Sequence, residues 1–547
     1  MFLSVIAAIV VAGCLLISLI RSRRRNTIRS LRGPRMRSLL LGYEYEISRQ
    51  DEVGDLESKW LREYGPTWRV SGSFARDVLM TADPKALQHI YHKSGYSYAK
   101  QPAQVNLGYL MSGPNIVWAQ GIDHQRHRKI MNPAFSSAQL RSFLPLFQST
   151  AYKLVDRWKS ELASAPTLET KVNTWLSRVT LDIVGEAAFD YDYKALDEAE
   201  DSALAKAYHG ILYGIACIPT RVMALTGLSF SSKEAGYRLP KATLLFRAAW
   251  DYLPFPIIKL FKYAPTKPFP HIRHVREVYM EYGKQILREK RPEVDTEKRA
   301  HSKDILSILL KANASSDEKT RLTEEEILAQ MYTLTLAGHE TTATTLSFLL
   351  YELARHPEYQ ARMRQEILEA RAQASARGKS DFTWEELDGM TLCTNAIKDD
   401  VLPLAYPIMT ADGSMVSEIP LRKGQIVNTS FAMYNRLPQV WGADAEEWNP
   451  DRFAAIDGNK QTYVGVFANL MTFSAGTRAC IGWRFAIIEM QVLVAELVST
   501  FKFEMPETAK AGETEVRRAP TGNALIPLIR GKPELGPALR LRVSLAD

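Results

Sequence analysis

One ten-residue run commits the chain to a particular kind of loop: Phe473-Ser-Ala-Gly476-Thr-Arg478-Ala-Cys480-Ile-Gly482. It holds a single sulfur, an arginine two residues before it, and glycines four before and two after. An anionic sulfur that ligates a metal needs backbone N–H groups brought close to it, and glycine permits that approach. The arginine adds a fixed positive charge suited to a carboxylate. A lone cysteine is otherwise a small buried hydrophobe. The spaced partners favour the ligand.

At 547 residues the chain is long enough for several domains, but no internal repeat, low-complexity tract or Gly/Ser linker divides it. One large, mostly helical domain behind a short N-terminal appendage is the expectation. Phe2 to Ile20 carries no charge and only two serines. That is about the length needed to cross a bilayer core. Arg21, Arg23, Arg24, Arg25, Arg29, Arg32, Arg35 and Arg37 follow, with no acid before Glu44. Removing those eight from 69 basic residues leaves 61 against 61 acidic ones, so the entire +8 belongs to this flank. The remainder is formally neutral, which excludes a nucleic-acid reading of the basic balance.

Arginines after an apolar span place themselves, and all that follows, in the cytosol. A cleaved signal peptide would carry its charges before the span and a small-residue site after it. The expected layout is a single transmembrane helix over 1–20, a basic linker over 21–37 and a catalytic domain over 38–547. Cys14, Cys217, Cys393 and Cys480 form no disulfide framework, in keeping with a reducing compartment.

Leu56–Tyr64 reads as a helix, Thr67–Val70 and Arg76–Met80 as a hairpin, and Asp83-Pro84 as a helix start. Gly and Pro punctuation makes a long loop of Ser94 to Asn115. Helical patterns then dominate to about residue 398, with strand and turn signals afterwards. The expected fold class is α+β, mainly helical, with small sheets.

Thr323 and Glu326 form a capping-box pattern, and no proline intervenes before Arg355. A helix of about thirty residues, or ~45 Å, follows from that. In its middle lie Ala337, Gly338, His339, Glu340, Thr341 and Thr342. Gly338 removes bulk where a flat cofactor could press, and the threonine hydroxyls can bond back one turn and distort the ladder. An acid followed by a hydroxyl on such a turn could relay protons to bound oxygen. Alone, the run reads more simply as an ordinary polar patch on a long helix. A zinc-protease reading fails because position 343 is alanine, not histidine.

The cysteine run is similar to the haem-binding loop of the cytochrome P450 family, matching Phe-x-x-Gly-x-Arg-x-Cys-x-Gly at every fixed position. The helical run matches the family's Ala-Gly-x-Glu-Thr-Thr. Gly121 to Lys129, with the exit Asn132-Pro-Ala-Phe135, resembles its propionate-binding helix. The resemblance covers nearly the whole chain after residue 36. It implies the P450 fold and haem b ligated through the Cys480 thiolate, with Phe473, Gly476, Arg478 and Gly482 around it. Ala337 and Gly338 would lie over the haem face, and Glu340 and Thr341 would deliver protons. Arg128 would hold a propionate, with His124 standing where the family has tryptophan.

The same resemblance implies a monooxygenase that inserts one atom of O₂ into an apolar small molecule. Electrons would come from NADPH through NADPH–cytochrome P450 reductase, with cytochrome b5 as a further donor. Arg126, Lys129 and Arg484 would offer the basic docking face, at the endoplasmic reticulum membrane. The apolar, proline-broken stretch Leu253 to Tyr263 would touch the membrane lipid near the substrate entrance; a buried loop packed on the helical bulk is an equal reading.

The family's Glu-x-x-Arg pair is not where it should be. Asn395-Ala-Ile-Lys398 resembles the start of the right helix, but Asp399-Asp-Val-Leu402-Pro403 follows. The matches Glu46–Arg49, Glu352–Arg355 and Glu515–Arg518 stand in other contexts. A helix end and the next strand are expected to be missing near 398–399. That loss would leave Arg452 of Asn449-Pro-Asp-Arg452-Phe453 without its counter-ions. Two further readings stay open: a haem-thiolate isomerase or dehydratase working on peroxides, and a pseudoenzyme with weak haem binding.

Overall fold

The computed structural model describes residues 27–197, 241–260, 268–290, 303–376, 400–453, 462–506, 515–521, 524–532 and 535–546. The apolar span at 1–20 and the seam at 398–399 lie outside the described residues. Among the described residues no helix is long and apolar enough to cross a membrane.

Seven helices shape the site: α1 (Pro102–Ser112), α2 (Gly121–Met131), α3 (Leu144–Leu162), α4 (Val172–Phe189), α5 (Pro268–Lys290), α6 (Glu324–Arg355) and α7 (Trp483–Thr500). Shorter helices, one three-stranded mixed sheet, one three-stranded antiparallel sheet and two antiparallel hairpins complete the described structure. The mixed sheet pairs Thr67–Ser71 with Asp77–Thr81, and Ile426–Thr429 adds in parallel to the second strand. A mainly helical α+β architecture is therefore observed. Asp83 starts its helix by accepting from the amides of Lys85 and Ala86, and also accepts from those of Ala405 and Tyr406. One buried carboxylate thus joins the N-terminal part of the chain to the strand Asp400–Met409.

Two sequence expectations need correction. The stretch Ser94–Asn115 is not one loop, because α1 occupies its second half. Pro102 sits at the first helical position, where its missing N–H costs nothing and its φ is already helical. The C-terminal part also contains α7, an eighteen-residue helix directly after the cysteine run.

α6 is the spine. Thr323 caps it as expected: its hydroxyl accepts from the Glu326 amide at 3.2 Å, and the Glu326 carboxylate accepts from the Thr323 amide at 2.8 Å. α4 crosses α6 closely at Gly338. A Cβ there would stand 2.7 Å from Val184 Cγ2, and the Thr180 hydroxyl donates to the His339 carbonyl at 3.1 Å. α3 packs on α7 through edge-to-face rings, Phe147 against Phe485 at 4.9 Å. Trp158, fully buried, meets Phe501 at 5.4 Å. Aromatic pairs of this kind add about 0.5–1.5 kcal/mol each beyond area burial. The same core fixes the start of α7, and so the end of the cysteine loop.

Candidate active site

The cysteine loop is built from two short 3₁₀ turns, Met471–Phe473 and Gly476–Arg478, leading into α7. Gly476 has φ +64°, and a Cβ on it would lie 1.9 Å from the Tyr91 carbonyl oxygen. No other residue type fits there. Gly482 makes no such demand: its φ is −95° and the nearest atom to an added Cβ is 3.6 Å away. Its contribution is its amide, which bonds to the Cys480 sulfur. The Cys480 amide in turn reaches the Phe473 carbonyl at 3.4 Å.

Cys480 presents exposed surface, yet burial pushes its thiol up from the ordinary range. The side chain is thus accessible to solvent while protein atoms surround its sulfur. The Gly482 amide and the Arg128 guanidinium oppose the burial effect. So does the N-terminus of α7, two residues on.

Arg128 donates to the Ala479 carbonyl. His124, one turn earlier on α2, is buried and accepts at Nδ1 from, or donates to, the Tyr96 hydroxyl at 2.8 Å. Burial, then Lys100, Arg128 and Arg478, push its imidazole down to about 3. Lys100 itself is pushed down to about 7 by burial and by Arg478. Arg478 also lies 5.2 Å from the Tyr96 ring centroid. Four basic side chains therefore converge beside the cysteine loop, where burial and the neighbouring cations hold down the protonation of Lys100 and His124. Such a cluster is an anion site.

The turn of α6 is open on one side. Ala337, Thr341 and Thr345, spaced four apart on one face of the helix, are exposed, while His339, Thr342 and Ala343 are buried. The hydroxyls bond back as expected, Thr341 to the Ala337 carbonyl at 2.7 Å and Thr342 to the Gly338 carbonyl at 3.2 Å. Glu340 turns toward α4, accepting from the Ser177 hydroxyl at 3.2 Å, with His339 Nε2 at 3.4 Å. Gly338 also has a packing role that its spacing did not reveal. Its bare side meets Val184, about 100° around the helix from Ala337, so its smallness serves helix packing.

A family model for cytochrome P450 matches residues 32–222 and 237–520. The chain belongs to the cytochrome P450 family. It is 30% identical to the cytochrome P450 monooxygenase claU of Ampulloclitocybe clavipes, over 89% of this chain and 88% of that protein. It is 31% identical to the ganoderic acid synthetase of Ganoderma lucidum, over 84% and 85%. Cytochrome P450 monooxygenase 81 of Postia placenta is also 31% identical, over 91% of each chain. The protein is a P450 monooxygenase, and the family implies a haem-thiolate centre and a reductase partner.

The residues present fit that group. A sulfur with an amide and a guanidinium nearby suits the iron, and the basic cluster suits the two carboxylates of a porphyrin. Lys100 and Tyr96 were missed in the sequence because neither belongs to a spaced motif. Only the packing of their loop against α2 and the cysteine run brings them in.

Of the three basic residues expected to offer a docking face, Lys129 is exposed and Arg126 is held by an acid. Arg126 is bound to both oxygens of Glu326 and to the Arg321 carbonyl, which spans from α2 to the start of α6. His127 completes the clamp, with Nε2 3.1 Å from Glu326 and Nδ1 3.0 Å from Gln330 Nε2. A solvated guanidinium was expected because sequence spacing shows only one helix. The acid that claims it comes from two hundred residues away. Arg484 stacks on Trp483 at 4.1 Å. Glu352 and Arg355 form the surface pair expected, at 2.9 Å.

Proposed function

We propose that this P450 is a membrane-attached monooxygenase that inserts one atom of O₂ into an apolar small molecule, with haem b bound through Cys480. The observation that carries the reading is the Cys480 side chain, solvent-accessible yet surrounded by protein, beside the Gly482 amide, Arg128 and the basic cluster. Lys100, His124, Arg128 and Arg478 would hold the haem carboxylates. When bound, the haem supplies a thiolate-ligated, electron-rich iron that favours O–O cleavage. Thr341 holds a proton at its hydroxyl on the exposed face of α6. Glu340, between Ser177 and His339, can pass protons to that face from the α4 side.

An aromatic cluster on α1 supports an apolar substrate. Tyr109 of α1 meets Trp118 at 5.3 Å and Phe255 at 5.0 Å, and Lys259 covers the last ring at 4.9 Å. Membrane attachment rests on the apolar span at 1–20 and on a surface patch. Met36, Leu39 and Leu40 are exposed among Arg35 and Arg37, and Ile257 and Leu260 are exposed beyond the Phe74–Tyr252 ring contact. Single-pass insertion in the endoplasmic reticulum with a cytosolic catalytic domain, and electrons from NADPH through a membrane-bound reductase with cytochrome b5 as a further donor, complete the proposal.

The Glu-x-x-Arg helix end and its following strand are, on this reading, missing near 398–399. Asp444 takes over Arg452, which supports a chain that keeps its cysteine loop without them.

The test is spectroscopic. Ferrous protein under CO is expected to show the far-red-shifted Soret band of thiolate ligation, lost in Cys480→Ala. A histidine-type spectrum, or an unchanged one in the variant, would sink the assignment.

A further inference from the structure

Glu489 lies on the second turn of α7, nine residues after Cys480, and is 0% exposed. Both of its carboxyl oxygens are shut off from solvent, and neither completes a hydrogen bond among the described residues. The Thr342 hydroxyl of α6 is the group that partly offsets the burial of this carboxyl. Thr342 is buried too, at 2% exposed, and its own bond to the Gly338 carbonyl is a long one of 3.2 Å. A buried carboxylate without a cation is strongly penalised, whereas the neutral acid costs little and has a proton to donate. Burial accordingly raises the Glu489 carboxyl well above the usual carboxylate range.

We propose that Glu489 is a positioning residue for the oxygen-side turn: it carries a proton and donates it as a hydrogen bond to Thr342, which fixes that hydroxyl on the Gly338 carbonyl. The inference rests on the reading of Thr341 as the proton-holding alcohol. Two consecutive hydroxyls bond back to two consecutive carbonyls, Ala337 and Gly338, so each competes with the helix ladder. With Thr342 fixed from behind, the turn opens by a set amount and Thr341 keeps one orientation. Without it, the Thr342 rotor is free to leave Gly338, and the Thr341 hydroxyl loses its frame.

The first measurement is infrared. The full-length protein is expected to show the carbonyl stretch of a protonated carboxylic acid, absent in Glu489→Gln and displaced in Thr342→Val. Carboxylate bands alone, or a protonated-acid band that Glu489→Gln leaves in place, would overturn the proposal before any turnover is measured. The second is the fraction of NADPH electrons recovered in product instead of peroxide. Glu489→Leu is expected to lower that fraction about 3- to 10-fold, the effect of one lost hydrogen bond. Glu489→Gln, which keeps a donor, is expected to restore most of it.

Thermal stability separates positioning from support. Leucine at a buried, cation-free site should leave the midpoint equal or higher. A fall in stability that tracks the fall in coupling would mean a structural role only. Thr341→Ala is the control for the underlying reading. If it too leaves coupling unchanged, the acid–alcohol assignment fails. If it lowers coupling while Glu489→Leu does not, Glu489 alone is misassigned.

Discussion

Arg452 is gripped by both carboxylate oxygens of Asp444, each at 3.0 Å, and by the carbonyls of Trp441, Asp444, Glu447 and Asn449. The guanidinium that the sequence left without counter-ions has one eight residues upstream. Instability from an unpaired arginine is therefore not expected. Arg452→Met should cost about 1–3 kcal/mol, since it removes several bonds to a charged donor. Asp444→Asn should cost less, because the carbonyls remain and the carboxylate is partly solvated. Chemical denaturation of both variants checks the order; equal losses would mean the carbonyls contribute nothing.

His124 makes cofactor-free stability depend on pH. Its imidazole stays neutral down to about 3 when folded, against the ordinary 6.5 when unfolded. The unfolded chain therefore binds more protons between those values, and stability falls as pH drops from 6.5 toward 3. His124→Phe should flatten the thermal midpoint between pH 6.5 and 4, while losing about 1 kcal/mol near pH 8 with the Tyr96 bond. An unchanged slope would mean that another group controls acid sensitivity.

Lys100 ties haem binding to proton uptake. Pushed down to about 7, it is largely neutral at pH 8.5 before the haem carboxylates arrive. Their charge should restore its proton, so binding at that pH should take up close to one proton, and affinity should fall as pH rises above 7. Titration in two buffers of different ionisation enthalpy reads the uptake. Lys100→Met should abolish it.

Gly338→Ala tests the α4–α6 contact. The added methyl would meet Val184 Cγ2 at 2.7 Å, a clash expected to cost about 1–3 kcal/mol despite alanine's better helix propensity. Val184→Ala in the same chain should recover part of that loss. A double-mutant cycle with no coupling would place the glycine's role elsewhere.

Gly476→Ala should be far more damaging. The Tyr91 carbonyl stands 1.9 Å from the added Cβ, and φ is +64°, so backbone must move on both sides. Loss of the CO-bound Soret band with secondary structure retained by circular dichroism is expected. A normal spectrum would show that the loop can relocate.

Sequence alone determined what depends on short spacing. The capping box, the back-bonding threonines, the two strands after residue 66 and the Cys480 loop are local devices, set by bonds within about four residues or by fixed offsets. They were readable because backbone physics acts at that range. Tertiary structure decided whatever needed a partner from far along the chain. Glu326 turned the supposed docking residue Arg126 into a clamp, and Val184 gave Gly338 a packing role. Asp400, just past the seam, gathered His89 at 2.8 Å and Tyr98 at 3.0 Å. Lys100 and Glu489, which belong to no motif, owe their unusual protonation to burial beside the motif residues Arg478 and Thr342. Desolvation and Coulomb fields act through space, so only the folded chain reveals which charges meet.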